Sequence, residues 1–161
     1  MNKILILLAT LLLSVQVQAA LLSVSGNGEL IAPISVQEDG ITNTLQQGFN
    51  EKQSVFLNSA VTVDAGTIAA GQTVDSHLIF LNTASGSATT TAEWTFDGLI
   101  LGVMSDRGGV LMTNTDSQFA AFNDYFTVGN KTGAFDLKGI EGNDHYSIAG
   151  NVLDLHMYVS E

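Results

Sequence analysis

The sequence predicts an all-β fold, a single-domain antiparallel β-sandwich of jelly-roll type, and three observations carry that expectation. Short apolar bursts alternate with turns rich in Gly, Ser, Thr, Asn and Asp, which is the texture of a sandwich or barrel. Proline occurs only at Pro33, so few positions forbid a ladder hydrogen bond. The segment Val152 to Ser160 alternates with period two. Leu153, Leu155, Met157 and Val159 fall on one face, and Asp154, His156, Tyr158 and Ser160 on the other. Such alternation marks a strand with one face in the core and one in water.

The remaining elements follow in chain order. Leu21 to Ser25 and Glu29 to Val36 are expected to pair as a hairpin across Gly26-Asn27-Gly28, with Pro33 placing the second strand at an edge or bulge. Ser54 to Val63 carries Val55, Leu57, Val61 and Val63, with an irregularity at Asn58-Ser59. Leu78 to Leu81 is uniformly apolar, which predicts a central strand covered on both faces. Ala84 to Ala92 is made of small residues and predicts a loop. In Ala92 to Phe96, Trp94 and Phe96 point inward together, and Asp97-Gly98 predicts a turn into a hairpin partner, Leu99 to Met104. Further strands are expected at Val110–Thr113, Phe126–Val128, Ala134–Leu137 and Tyr146–Ala149. One short helix is expected from Ser117 to Tyr125, capped by Asp116, because Phe119, Phe122 and Phe126 recur at helical spacing.

The N-terminus has the three zones of a secretory signal. Lys3 precedes an unbroken apolar run, Ile4 to Leu13, and a polar stretch then leads to Ala19 and Ala20. Val17-x-Ala19 suits the small-residue pockets of a signal peptidase. The expected domains are therefore a signal peptide, residues 1–19, and a β-sandwich, residues 20–161, with a cut after Ala20 as the alternative. An uncleaved anchor would need about 20 apolar residues, more than this run supplies. The expected location is outside the cell or at its surface, with the periplasm as a further possibility.

Charge and composition narrow the function classes. The chain has a formal net charge of −11; without Lys3, only Lys52, Arg107, Lys131 and Lys138 stand against sixteen acidic residues. That argues against nucleic acid and anionic membranes, both of which call for basic patches. It is compatible with divalent cations and with solubility. There is no cysteine, which excludes thiol catalysis and Cys-ligated zinc or iron–sulfur centres.

Four segments in combination carry a family resemblance. They are Thr42-Asn43-Thr44-Leu45-Gln46-Gln47-Gly48-Phe49-Asn50-Glu51, Val74-Asp75-Ser76-His77-Leu78-Ile79-Phe80-Leu81-Asn82, Trp94-Thr95-Phe96-Asp97-Gly98-Leu99-Ile100-Leu101-Gly102-Val103-Met104-Ser105-Asp106 and Gly139-Ile140-Glu141-Gly142-Asn143-Asp144. From about Leu22 to Glu161 the chain resembles a widespread group of exported bacterial proteins of unknown function. Members of that group often carry a PEP-CTERM sorting tail processed by an exosortase. The resemblance implies export and residence at the surface or in matrix, and it brings no activity. The related pattern continues past Ser160-Glu161 with Pro-Gly-Asp-Trp and often an anchor. Here the sequence stops first, which suggests either a fragment or a member released unanchored.

No motif assigns chemistry. Calcium takes six to eight oxygen ligands, commonly from loops, and acidic turns at Asp97, Asp106, Asp116, Asp124 and Glu141 to Asp144 offer them; Asp97, Asp106, Glu141 and Asp144 are the candidates. None follows the EF-hand spacing, and Asp and Asn also favour turns without a metal. Asp75-x-His77 would place both side chains on one strand face, where the carboxylate could orient the imidazole; His145 and His156 show no convergence with it. There is no His-Glu-x-x-His run and no Gly-x-Ser-x-Gly elbow. For sugar contact the aromatic platforms are Trp94, Tyr125, Tyr146 and Tyr158, with Trp94 expected in the core. Tyr158, beside His156 and Asp154, is the exposed candidate. The expectation is a secreted, non-enzymatic protein without a cofactor, acting as a structural or interaction partner of an extracellular glycan or matrix protein. A calcium- or carbohydrate-binding module is the alternative, and a hydrolase with a carboxylate pair the remaining one.

Overall fold

The computed structural model describes residues 20–32, 36–37, 44–83, 85–105, 118–119, 126–127 and 143–160. The fold is all-β. Eleven strands are described: β1 Leu21–Gly26, β2 Gly28–Leu30, β3 Val36–Gln37, β4 Gln46–Phe56, β5 Val61–Val63, β6 Gly66–Ile68, β7 Thr73–Phe80, β8 Ser87–Phe96, β9 Phe126–Thr127, β10 His145–Ala149 and β11 Val152–Ser160. They form a four-stranded sheet in the order β1-β8-β11-β10 and a three-stranded sheet in the order β2-β4-β7, with the small pairs β3-β9 and β5-β6. The four-stranded sheet and the β5-β6 pair are antiparallel throughout, β3 and β9 are parallel, and the three-stranded sheet is mixed, with β2 parallel and β7 antiparallel to β4. Among the described residues no helix is long and apolar enough to cross a membrane.

The two larger sheets pack face to face around Trp94. Leu21, Ala92, Trp94, Phe96, Leu153 and Leu155 form the buried cluster, and Ile79 of β7 packs against it from the facing sheet. Gly48 of β4 lies under the indole, and a Cβ there would sit 2.6 Å from Trp94 Cζ3. A second cluster joins Leu57, Val61, Val63 and Phe119 beyond the bend at Asn58-Ser59. Phe119 is thus core packing. Of the expected Ser117–Tyr125 helix only Gln118 and Phe119 are described, and they form a turn and a bend.

The pattern-based strands β8 and β11 run as expected at their apolar ends. β11 matches Val152 to Ser160 residue for residue, and the two-residue loop Gly150-Asn151, with Gly150 at φ 67°, returns it antiparallel to β10. A positive φ at the first loop position is the type II′ requirement that glycine meets.

Four expectations are corrected. β1 and β2 form no hairpin: β1 pairs with β8 and β2 with β4. The chain crosses between sheets at Asn27, whose N–H donates to Thr91 O (2.9 Å) while its carbonyl accepts from Gln46 N (2.8 Å). Of the loop expected from Ala84 to Ala92, only Ser85-Gly86 is described as a bend; Ser87 to Ala92 is the first half of β8, paired with β11 along its length. Among the described strands β7 lies at the end of its sheet, and it is mostly half-buried, rather than central. Leu99 to Met104 is not a strand. It runs irregularly beside neighbouring turns, with Ile100 N–H on Gly150 O (3.1 Å) and Val103 O accepting from Asp64 N (2.8 Å). The strands expected at Val110–Thr113 and Ala134–Leu137 lie outside the described residues.

Candidate functional site

The chemistry-bearing side chains collect on the outer face of the β1-β8-β11-β10 sheet. Residues directly opposite in an antiparallel pair share a face, so register sets the neighbours. Glu93, Asp154 and Ser147 form one cross-strand row; Thr91, His156 and His145 form the next; Thr89 lies opposite Tyr158. All are exposed except His156, which is half-buried. Tyr158 is 42% exposed. Asp154, His156 and Tyr158 therefore stand together, as the alternation in β11 requires.

The structure adds a neighbour that the spacing did not reveal. His145 and His156 stack, with ring centroids 4.7 Å apart and planes 15° from parallel. His156 Nδ1 lies 2.9 Å from Thr91 Oγ1. His145 Nδ1 lies 3.0 Å from Asn143 O. A carbonyl only accepts, so Nδ1 of His145 carries the proton. Eleven positions separate the two histidines in sequence, and only the β10–β11 register brings them together.

The third histidine lies in the other sheet. His77 Nδ1 donates to Asn50 Oδ1 at 3.0 Å, and its ring packs against Phe96 with centroids 5.0 Å apart. Asp75 accepts the N–H of Ser54 through Oδ1. One acceptor on the His77 ring is thus an amide from β4. Ser54 itself has a left-handed φ of 58° at the irregularity where β4 slips against β7, and Asp75 holds that distortion.

The two calcium candidates among the described residues, Asp97 and Asp144, do not meet. Asp97 Oδ1 accepts the N–H of Ala20, and Asp144 Oδ1 accepts the N–H of Tyr158. Tyr158 lies opposite Thr89, at the other end of β8 from Asp97. At about 3.3 Å per residue the two carboxylates sit roughly 25 Å apart. Asp106 and Glu141 lie outside the described residues, as do Asp116, Asp124 and Tyr125. Among the described residues no three His, Asp or Glu side chains come together as a metal site.

Two of the aromatic platforms are structural. Trp94 is fully buried, as expected. Tyr146 is half-buried, and its hydroxyl donates to Asp64 Oδ2 at 3.0 Å. Asp64, which nothing in the sequence singled out, also accepts Ser105 N–H through Oδ1 at 3.1 Å. It ties the irregular segment before residue 106 to β10 through the turn after β5. Removing a partly buried acceptor of two hydrogen bonds costs about 2 kcal/mol, so Asp64→Ala is expected to lower unfolding free energy in urea by about that amount. Tyr146→Phe should lower it by about 1 kcal/mol. The double variant should be no worse than Asp64→Ala alone by more than a few tenths of a kcal/mol. Full additivity would show that the two groups do not interact.

Comparison with family models, with curated proteins and with solved structures finds no match to this chain. The resemblance to PEP-CTERM proteins stays an inference from the sequence motifs alone.

Proposed function

We propose that this chain is an exported, non-catalytic all-β protein that acts at the cell surface or in extracellular matrix, by contact through the outer face of its four-stranded sheet. One observation carries the reading: acids among the described residues divide by use. Asp64, Asp75, Asp97 and Asp144 each accept a backbone N–H from a segment distant in sequence, so they build the fold. Asp154, Glu93, His156, His145 and Tyr158 line an open polar face instead. The secretory pattern of residues 1–19 supports placing that face outside the cell.

Carbohydrate is the ligand class this face fits best. An exposed aromatic ring offers a sugar an apolar platform, and Tyr158 follows His156 and Asp154 on the same face of β11, whose polar atoms suit hydroxyls. The test is binding of exported protein to an array of extracellular glycans, together with a screen for turnover of glycan and ester substrates. Tyr158→Ala is expected to weaken glycan binding about tenfold, equivalent to about 1.4 kcal/mol, with the melting temperature unchanged. Binding that survives the substitution would sink the assignment of this face. Turnover of any substrate would sink the non-catalytic reading.

A further inference from the structure

We propose that signal cleavage after Ala19 completes the fold, because the new α-ammonium of Ala20 forms an ion pair with the Asp97 carboxylate at the start of β1 in the four-stranded sheet. The inference rests on the exported reading given above. What it adds is a structural role for the cut and a receptor for its product.

The observations lie at the first described residue. Ala20 N–H donates to Asp97 Oδ1, and Asp97 N–H donates back to Ala20 O at 3.0 Å. The next N–H, from Leu21, donates to Asn50 Oδ1 in the facing sheet at 2.9 Å. The first two donors of the processed chain are therefore held by side chains from two different sheets. Both Ala20 and Asp97 are half-buried, so their interaction is less screened than one in open water. The clasp sits where it is needed. Among the described strands β1 is outermost in its sheet, its register against β8 shifts between Leu21 and Ser23, and a terminal strand frays unless it is tied down.

Cleavage changes the charge at this point. Hydrolysis breaks the bond between the Ala19 carbonyl carbon and the Ala20 nitrogen. Water supplies the hydroxyl to the Ala19 acyl group, and the acid so formed loses a proton while the Ala20 amine gains one. A neutral amide donor becomes an ammonium with three donors, and its hydrogen bond to the carboxylate becomes charge-assisted. An amide needs only a neutral acceptor such as Asn; a carboxylate matches the ammonium. The uncut chain can still make the amide version of the contact, so the additional stability arrives only on processing.

The experiment starts from the full chain exported by a bacterial host, with the N-terminus of the product read by mass spectrometry. The expected product begins at Ala20. A product that keeps Met1 would overturn the export reading and this proposal with it. One that begins at Leu21 would overturn the proposal alone, since Asn50 would then face the new terminus. The Ala20 protein is next compared with the same protein acetylated on its α-amine, which restores the amide N–H and removes the charge. Acetylation is expected to lower the melting temperature by about 3 °C, as for a partly screened ion pair in a domain of this size. In Asp97→Asn, which keeps an acceptor oxygen, acetylation should change the melting temperature by less than about 1 °C. Equal effects in both backgrounds, or none in either, would overturn the ion pair while leaving export standing.

Discussion

Gln46→Leu is expected to destabilise the fold by about 3 kcal/mol, although leucine nearly matches the volume and suits a buried site. Gln46 is fully buried in β4 and works entirely through its amide. Nε2 donates to Leu155 O at 2.8 Å and reaches Thr90 O at 3.4 Å, while Oε1 accepts the indole N–H of Trp94 at 2.8 Å. One side chain thus bridges β4 to both central strands of the facing sheet. Leucine would leave the Trp94 N–H in a dry interior without a partner, and an unsatisfied buried donor costs about 1–3 kcal/mol by itself. Trp94→Phe should also destabilise, through lost volume and a bare Gln46 oxygen. The double variant is expected to fall short of the sum by 1 kcal/mol or more, because removing both partners strands neither. Urea unfolding of the four proteins measures this. Additive losses would mean that the Gln46–Trp94 hydrogen bond contributes nothing to cohesion of the two sheets.

Gln46 also shows where sequence reading stopped. A glutamine between Leu45 and Gln47 looks like surface, and nothing in Gln46-Gln47-Gly48 alternates in hydrophobicity. Its burial comes from the facing sheet, so local pattern does not contain it. Strand β11 is legible because its period-two alternation puts Leu153, Leu155, Met157 and Val159 on one face. The first half of β8 was not, since Ser, Ala and Thr carry little hydrophobic contrast. A signal was nevertheless present there. Ala88, Thr90 and Ala92 face inward while Thr89, Thr91 and Glu93 face out, a small-in, polar-out alternation that fits a strand packed closely against a neighbour. Asp97-Gly98 was a sound turn signal that led to a wrong partner. The bend forms, but Asp97 engages Ala20, and the chain beyond it bonds to Gly150 instead of folding back on β8.

The candidate face divides in the same way. Asp154, His156 and Tyr158 could be grouped from β11 alone, because period two places them on one side. The contributions of β8 and β10 could not, since cross-strand neighbours depend on a register that no single strand specifies. The His145–His156 stack is the clearest case. Each histidine is unremarkable in sequence, and their juxtaposition exists only once Ala149 pairs with Val152 across the Gly150-Asn151 turn.

Gly48→Ala is expected to lower stability by about 3 kcal/mol. The reason is space rather than backbone freedom. A Cβ at Gly48 would lie 2.6 Å from Trp94 Cζ3 and 2.7 Å from Cη2, with Ile79 Cγ1 at 3.3 Å on the other side. The indole has no room to yield. It is fully buried, and its nitrogen is fixed by Gln46. From β2, a Cβ on Gly28 would also press on the ring, 3.2 Å from Cζ2. The sheets can therefore accommodate the methyl only by separating, which would weaken the contact that Gln46 makes between them. The interpretation has a specific signature. In a Trp94→Phe background, where the six-membered ring of the indole is gone, the methyl at Gly48 should cost less than about 1 kcal/mol further. A full 3 kcal/mol loss in that background would place the strain in the β4 backbone and remove Trp94 as its cause.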